Sequence, residues 1–250
     1  MNSHPNVIII GIAGCSRCGK TLLTRELMNQ YKNMIGKNSD FADIFTSMHL
    51  DRYFNRFKIK SNIIITNKGN IYGNWEFPGA LDWDDFYSDI LKEINKITIK
   101  IKSSPFPNKK GIIFVEGFLL FSPLLSKSYE NSNYLNIFDY YIYICLDKYL
   151  AKERRMKTTT VPEDYYDCIL WPEHIKYCSG YANFFKEKFN NNKNILIIDG
   201  NKQYPPKTIS LCILKWINIV KELDNNICDV YDSLFVPFEK QINILQKNFA

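Results

Sequence analysis

The sequence predicts an α/β fold in which five parallel strands form one sheet with helices on both faces. Five short apolar runs, most of them rich in β-branched or aromatic residues, predict the strands at 7–10, 44–48, 112–115, 140–146 and 195–198. Amphipathic patterns predict helices between them, including 83–97 and 172–189. Strands that alternate with helices are typical of a parallel sheet covered on both sides. Apolar residues make up 46% of the chain, enough for a full core.

The loop after the first strand specifies which α/β fold to expect. It matches the pattern G-x-x-x-x-G-K-[ST] through Gly14, Cys15, Ser16, Arg17, Cys18, Gly19, Lys20 and Thr21, and Leu22 continues into a helical pattern. Backbone N–H groups of such a loop, together with the N-terminus of the next helix, bind phosphate. The lysine reaches the β- and γ-phosphates and the threonine hydroxyl binds Mg²⁺. We therefore predict a P-loop NTPase fold that binds ATP with Mg²⁺ through residues 14–22.

Two carboxylates follow predicted strands. Asp51 comes after the second strand and Glu116 ends the third. Ligands of an open parallel sheet bind beyond the carboxyl ends of its strands. A carboxylate there can hold Mg²⁺ or its waters, and one aimed at a substrate hydroxyl can accept its proton. A lone Asp after a strand more often caps a helix, but two acids at two strand ends favour a site, with Thr21 as the third metal contact.

The stretch 74–82 places Trp75 and Glu76 in an extended segment bounded by Pro78. An aromatic plane beside a carboxylate suits a flat heterocycle joined to a ribose, because the ring stacks and the carboxylate accepts from vicinal hydroxyls. Spacing alone leaves a second interpretation open, in which Trp75 is a core residue.

Charge and cysteine usage limit the function classes. The net charge is +6, but the lysines are scattered rather than gathered in a basic patch, so no nucleic-acid partner is expected. The one basic cluster, 152–157, is either a solvated helix face or a lid that clamps ATP. The seven cysteines include no second C-x-x-C pair that would complete a zinc site with Cys15 and Cys18, which indicates a reducing, cytoplasmic environment. The N-terminus lacks a charged signal region and no apolar run could span a bilayer, so no membrane association is expected.

The domain organisation is expected to be simple. We expect residues 1–223 to form one P-loop domain with a small lid at about 150–170, and 224–250 to add a terminal helix packed on the same domain. The polar stretch 58–73 is expected to form a hairpin or a mobile loop, and 103–110 a surface turn.

Four motifs in order make the chain resemble the nicotinamide riboside kinases, within the uridine kinase-like group of P-loop kinases. They are the phosphate loop, 50–54 (Leu-Asp-Arg-Tyr-Phe), 74–82 and 115–121 (Val-Glu-Gly-Phe-Leu-Leu-Phe). Two weaker ones follow, Arg154-Arg155 in the lid and Trp171-Pro172 with Lys176-Tyr177. The likeness covers roughly residues 6–220.

The resemblance implies transfer of the γ-phosphoryl group of ATP to the 5′-hydroxyl of nicotinamide riboside, which gives nicotinamide mononucleotide for NAD salvage. It implies that Asp51 is the general base and a magnesium contact, and that Lys20 and Arg154 stabilise the transferring phosphoryl group. It implies a substrate site made of Asp51, Arg52, Tyr53, Phe54, Trp75, Glu76 and Arg155, and an adenine contact at Lys202.

The chain departs from the family pattern in the lid, where 156–160 lack a further arginine and an aromatic residue, and 58–73 has no clear counterpart. Uridine/cytidine kinase is an alternative that 74–82 fits almost as well. A nucleotide-binding switch or partner module is a non-enzymatic alternative. The expected partners are a small riboside (nicotinic acid riboside is also open) and ATP, and the chain is expected to be a monomer or a homodimer.

Overall fold

The computed structural model describes residues 4–35, 44–103, 110–121, 137–158, 161–189, 194–220, 222–223 and 225–249. Most of the surface turn predicted at 103–110 lies outside the described residues. The strands are β1 (Val7–Gly14), β2 (Phe45–His49), β3 (Ile63–Ile65), β4 (Ile71–Gly73), β5 (Gly111–Gly117), β6 (Tyr140–Cys145) and β7 (Ile195–Asp199). Five of them form one parallel sheet in the order β2-β5-β1-β6-β7, which confirms the predicted fold class.

The strand order puts β1 at the centre of the sheet and the phosphate loop at its carboxyl end. Ile9 pairs with Ile113 of β5, and Ile12 pairs with Ile142 of β6. The next strands of the sheet along the chain, β2 and β5, lie on one side of β1, and the later strands β6 and β7 lie on the other. A crevice opens where the strand order reverses in this way, and it lies beside the loop that follows β1.

Alternation along the strands divides the core into two apolar layers, one on each face of the sheet. Ile9 and Ile113 belong to one layer, whereas Ile8 and Ile112 belong to the other. Successive side chains of a strand point to opposite faces, so a strand buried on both sides reads as a continuous apolar run. This is why β1, β5 and β6 appear in the sequence as near-continuous apolar segments, whereas the edge strand β2 contains Thr46 and Ser47 and is only partly buried.

Helices cover both faces of the sheet. They are α1 (Lys20–Ile35), α2 (Arg56–Ser61), α3 (Trp83–Ser103), α4 (Lys148–Thr158), α5 (Glu163–Tyr165), α6 (Trp171–Cys178), α7 (Tyr181–Phe189), α8 (Pro206–Trp216), α9 (Asn225–Leu234) and α10 (Phe238–Phe249). A π-helical turn, Tyr166–Leu170, joins α5 to α6. Helices α3, α7 and α10 contribute to one apolar layer, and α1, α8 and α9 contribute to the other.

Two predicted helices differ from the structure. The helix predicted at 172–189 is two helices, α6 and α7, because the chain breaks at 179–180, where Gly180 disfavours helix. The single terminal helix expected in 224–250 is also two, α9 and α10. Pro237 directly precedes α10, and proline is accepted at a helix start but not in a helix interior.

The stretch 58–73 forms an antiparallel hairpin of β3 and β4 preceded by α2, which is the first of the two conformations expected for it. Asn55 caps α2, since its side chain accepts from the backbone N–H groups of Phe57 and Lys58. Gly69 adopts φ 79° in the turn of the hairpin, a conformation that favours glycine.

Candidate active site

The phosphate loop joins β1 to α1, and its glycines are required by its shape. Gly14 adopts φ 149° and Gly19 adopts φ 107°. A Cβ atom at Gly14 would lie 2.4 Å from the carbonyl oxygen of Ile144, so a larger residue cannot be accommodated there without moving the backbone. The loop is therefore packed directly against β6, which fixes its position at the end of the sheet.

Lys20 lies across the inside of this loop. Its Nζ donates to the carbonyl oxygens of Gly14, at 3.0 Å, and Cys15, at 2.9 Å. Burial lowers the pKa of Lys20, but the nearby Cys18 thiolate and Asp51 carboxylate outweigh it, so the net pKa is raised and the ammonium stays charged. The cation is held where a phosphate chain cradled by the loop would meet it.

Cys15 and Cys18 are buried beneath the loop, in the apolar layer that contains α1. Burial raises the pKa of the Cys18 thiol, but its hydrogen bond with Cys15 and the charge of Lys20 prevail and bring the pKa to about 6. Both side chains fill space under the loop, and all seven cysteines of the chain are free thiols.

Thr21 and Glu116 come together at the carboxyl end of the sheet. Thr21 Oγ1 donates to Glu116 Oε1 at 2.7 Å, and Nδ1 of His49 donates to the same oxygen. The second oxygen, Oε2, is buried and accepts no hydrogen bond from the described residues.

This arrangement suits Mg²⁺ on a nucleotide, which takes one or two protein oxygens and fills its other positions with phosphates and water. Thr21, Glu116 and the nearby Asp51 are the residues that would hold it. Within the described ranges, no three His, Cys, Asp or Glu side chains cluster into a metal site of their own.

A single cleft of about 630 Å³ collects most of the predicted site residues. Six of its lining residues come from the phosphate loop and the start of α1: Ser16, Arg17, Gly19, Lys20, Thr21 and Leu22. Eight more come from the other predicted motifs: Asp51, Phe54, Trp75, Glu76, Glu116, Gly117, Phe118 and Arg155. The nucleotide-binding motif and the predicted acceptor residues thus share one cavity, with Asp51 on its wall.

Aromatic side chains form another wall of the cleft. Phe54 contacts Trp75 edge to face, with ring centroids 5.2 Å apart, and stacks on Phe118 at 5.9 Å. Tyr72 and Tyr165 meet edge to face at 5.4 Å and line the same cleft. Trp75 is 39% exposed, which excludes the core interpretation and leaves its indole available to a ligand.

Glu76 lies between this wall and the basic lid. Its Oε1 accepts from the hydroxyl of Tyr165 at 3.3 Å, and its backbone N–H donates to Asn74 Oδ1 at 2.9 Å. Burial raises the pKa of Glu76 to about 7, although the charge of Arg155 opposes the shift. A carboxylate with this pKa changes charge near neutrality.

The two lid arginines point to different places. Arg155 lines the cleft and its Nη1 donates to Ser16 Oγ at 2.9 Å, so the lid reaches the phosphate loop through this residue. Arg154, which the sequence predicted at the transferring phosphoryl group, instead donates from Nη2 to the carbonyl oxygen of Gly200 at 3.3 Å and is absent from the cleft lining. Successive helix residues point about 100° apart, so only one of the pair can face the loop.

Six other predicted residues also lie off the cleft lining, and three of them, Gly14, Cys15 and Cys18, belong to the phosphate loop itself. Tyr53 donates its hydroxyl to Asp89 at 2.9 Å and packs on Phe86, because it lies on the side of its turn that faces α3. Arg52 and Lys202 are exposed side chains outside the lining.

Several lining residues were missed by the sequence interpretation. Phe118 is in the 115–121 motif, so its position was available from the pattern. Tyr72 and Tyr165 were not predicted, because one belongs to an insertion without a counterpart and the other to a lid with an unusual sequence. His49, which precedes Asp51 by two residues, is an unexpected partner for Glu116.

The comparisons with known proteins add likenesses in structure only. No protein-family model matches the chain, and no curated protein matches it by sequence. A gluconokinase from Sinorhizobium meliloti 1021 is 11% identical with a TM-score of 0.40, over 92% of this chain and 96% of its own. A putative fructose transport system kinase from Silicibacter sp. TM1040 is 14% identical with a TM-score of 0.42, over 66% of this chain and 80% of its own.

Among the helices that the structure describes, none is long and apolar enough to cross a membrane.

Proposed function

We propose that this protein is a small-molecule kinase that transfers the γ-phosphoryl group of ATP to the 5′-hydroxyl of nicotinamide riboside. The observation that carries the proposal is the shared cleft, which is lined by the phosphate loop, by aromatic and acidic side chains, and by Asp51. A nucleotide switch has no use for such a second wall. An enzyme that joins two substrates requires one.

The donor side of the proposal rests on the loop and the lid. Lys20 keeps its positive charge inside the loop, and Arg155 reaches Ser16 from the lid. Two cations on opposite sides of the phosphate chain would stabilise the charge that spreads over the γ-phosphoryl oxygens during transfer. Mg²⁺ held near Thr21 and Glu116 would neutralise charge on the β- and γ-phosphates when it is bound.

The acceptor side favours a flat, cationic ring. The partly exposed indole of Trp75 and the rings of Phe54 and Tyr72 line the cleft, and a cation is attracted to the face of such rings. Nicotinamide riboside carries a positive charge on its pyridinium ring, whereas uridine and cytidine are neutral. The carboxylate of Glu76 lies next to Trp75 and would accept hydrogen bonds from ribose hydroxyls.

Asp51 has the chemistry needed for the reacting hydroxyl. It follows β2 in a short helical turn, is exposed to the cleft, and is the lining carboxylate not engaged by Tyr165 or Thr21. It would accept the proton of the 5′-hydroxyl as that oxygen attacks the γ-phosphorus in line. Such a base needs to lie within hydrogen-bond reach of the hydroxyl it deprotonates.

The test is a substrate panel with the purified protein, ATP and Mg²⁺. Nicotinamide riboside, nicotinic acid riboside, uridine and cytidine are each incubated separately, and the phosphorylated product is identified by mass spectrometry. We expect turnover of nicotinamide riboside at least about tenfold faster than of the neutral pyrimidine nucleosides, since one lost charged contact typically costs that much. Turnover of uridine without turnover of nicotinamide riboside would instead assign the protein as a pyrimidine nucleoside kinase.

Asp51→Asn separates the enzyme from a nucleotide-binding module. We expect kcat to fall by about 10²–10⁴, the usual contribution of a general base, while binding of free ATP, measured by calorimetry without Mg²⁺, is retained. Asp84→Asn, an exposed carboxylate in the first turn of α3, is the matched control and should keep full activity. Activity of Asp51→Asn within a few-fold of the unaltered protein would contradict the assignment of the base.

A further inference from the structure

The carboxylate of Asp164 is a meeting point for the hairpin of β3 and β4. It is 9% exposed and accepts hydrogen bonds from three neutral side chains of the hairpin and its turn, and one from the backbone N–H of Tyr165. Thr66 Oγ1 and Asn70 Nδ2 donate to Oδ2 at 3.1 and 2.7 Å, and the hydroxyl of Tyr72 donates to Oδ1 at 2.9 Å. One buried lid carboxylate thus binds Thr66 and Asn70 at the two ends of the turn and Tyr72 in the following strand.

The hairpin needs such an anchor. Three of its side chains, Ile63, Ile65 and Ile71, are more than half exposed, so one of its faces buries little apolar area. An isolated two-stranded hairpin is at best marginally stable in water. On the other face, Ile64 and Tyr72 pack against the apolar layer that contains α1, and Gly73 lies against Ile59 of α2 at the base of the hairpin. The turn itself is held by the hydrogen bonds of Thr66 and Asn70 to Asp164.

The next residue along the lid connects this anchor to the cleft. The ring of Tyr165 packs edge to face on Tyr72. Its hydroxyl donates to Glu76 Oε1 at 3.3 Å and accepts from the backbone N–H of Trp75 at 3.4 Å. Asp164 therefore faces the hairpin while its neighbour faces the residues proposed to bind the acceptor, and both tyrosines line the cavity.

We propose that Asp164 is a positioning residue for the acceptor: by fastening the hairpin to the lid, it sets Tyr72 and Tyr165 as the outer wall of the riboside site. The inference rests on the proposed function. The insertion at 58–73 would then help to form the acceptor site. Selection of the acceptor would depend partly on residues outside the motifs recognised in the sequence.

Asp164→Asn tests the proposal because it keeps the size of the side chain but makes one terminal atom a donor, which cannot accept from the hairpin. We expect the KM for nicotinamide riboside to rise about tenfold or more, the usual effect of disrupting a hydrogen bond to a charged group. The KM for ATP and kcat should stay within about twofold, because the loop and Asp51 are untouched. Tyr72→Phe keeps the ring and removes one hydrogen bond, so it should give a smaller rise in the same constant.

Asp167→Asn is the matched control. Asp167 is a lid carboxylate three residues further on that pairs with Lys148 and Lys152 on α4. The same substitution there should leave the KM for the riboside unchanged. Equal effects of the two variants, or a rise in the KM for ATP as large as that for the riboside, would contradict the proposal.

Limited digestion with trypsin gives a readout that needs no turnover. Lys68 is exposed in the hairpin turn, so loss of the anchor should speed cleavage after this residue in Asp164→Asn and leave it unchanged in Asp167→Asn. An unchanged cleavage rate in Asp164→Asn would contradict the anchor. Failure of the unaltered protein to phosphorylate any riboside would contradict the proposed function, whereas normal turnover with an unchanged riboside KM in Asp164→Asn would contradict this inference alone.

Discussion

Thr21 Oγ1 donates a 2.7 Å hydrogen bond to Glu116 Oε1, which joins the first turn of α1 to the end of β5. The two residues are 95 positions apart in sequence, and the parallel sheet brings them together because β5 lies beside β1. The bond fixes the carboxylate beside the phosphate loop. A Mg²⁺ ion bound with the nucleotide would lie at this position, where Glu116 would contact the cation in place of the Thr21 hydroxyl proton.

Glu116→Gln should raise the Mg²⁺ requirement of the reaction. The amide is a weaker cation ligand than the carboxylate and carries no charge, so we expect the Mg²⁺ concentration for half-maximal activity to increase about tenfold. Calorimetry of ATP binding with and without Mg²⁺ gives a second measure, since the variant should bind free ATP normally and gain less from the metal. Glu26→Gln, a partly exposed carboxylate on α1, is the control. An unchanged Mg²⁺ dependence would remove Glu116 from the metal site.

Arg155→Ala should impair catalysis much more than Arg154→Ala. Arg155 lines the cleft and contacts Ser16, whereas Arg154 donates to the carbonyl oxygen of Gly200. We expect kcat to fall by about 10²–10³ for Arg155→Ala, the range for loss of one group that stabilises transition-state charge. Arg154→Ala should stay within about tenfold of the unaltered protein. The reverse order would restore the role that the sequence assigned to Arg154.

The phosphate loop and the sheet could be predicted from the sequence because their signals are local. Four of the five strands of the parallel sheet are near-continuous apolar runs, with the edge strand β2 as the exception, and the loop pattern specifies conformation and chemistry over eight neighbouring positions. The sequence could not predict which of the two lid arginines faces the cleft, because two adjacent arginines on a helix are equivalent in the sequence pattern. Tyr72 and Tyr165 were missed because only tertiary contacts between the hairpin and the lid bring them to the cleft. The break at Gly180 was missed because the apolar periodicity continues across it.

Gly14→Ala should destabilise the protein far more than Gly69→Ala, although both glycines have positive φ. A methyl group at Gly14 meets the backbone of Ile144 at 2.4 Å, whereas nothing lies within 4 Å of one at Gly69. We expect Gly69→Ala to cost about 1–2 kcal/mol from backbone strain alone, and Gly14→Ala clearly more. Chemical denaturation of both variants measures the difference. Equal losses would mean that the loop can move away from β6 at little cost.

Glu76 should make riboside binding depend on pH. Burial raises its pKa to about 7, and the ionised form accepts hydrogen bonds from ribose hydroxyls more strongly, because the neutral form turns one oxygen into a donor. We therefore expect affinity for nicotinamide riboside to increase about tenfold between pH 6 and pH 8, following the ionised fraction of a group with this pKa. Calorimetry with a non-hydrolysable ATP analogue measures binding without the proton-transfer step. Glu76→Gln should bind weakly at both pH values, and a pH dependence that persists in this variant would assign the titration to another group.

The same pKa gives the opposite trend for stability, which makes the assignment of Glu76 testable without any ligand. Because its pKa is raised above the ordinary value of 4.5, the folded protein binds more protons than the unfolded chain between pH 4.5 and about 7. The contribution of Glu76 to the free energy of unfolding is therefore complete below that window and declines as pH rises through it. Glu76→Gln removes this decline, so its melting temperature should exceed that of the unaltered protein at pH 8 by more than it does at pH 5. Glu153→Gln, an exposed carboxylate paired with Lys157, should produce no such difference. If the two variants respond alike to pH, the carboxylate of Glu76 is solvated in the free protein, and the cleft offers the riboside a polar site rather than a desolvated one.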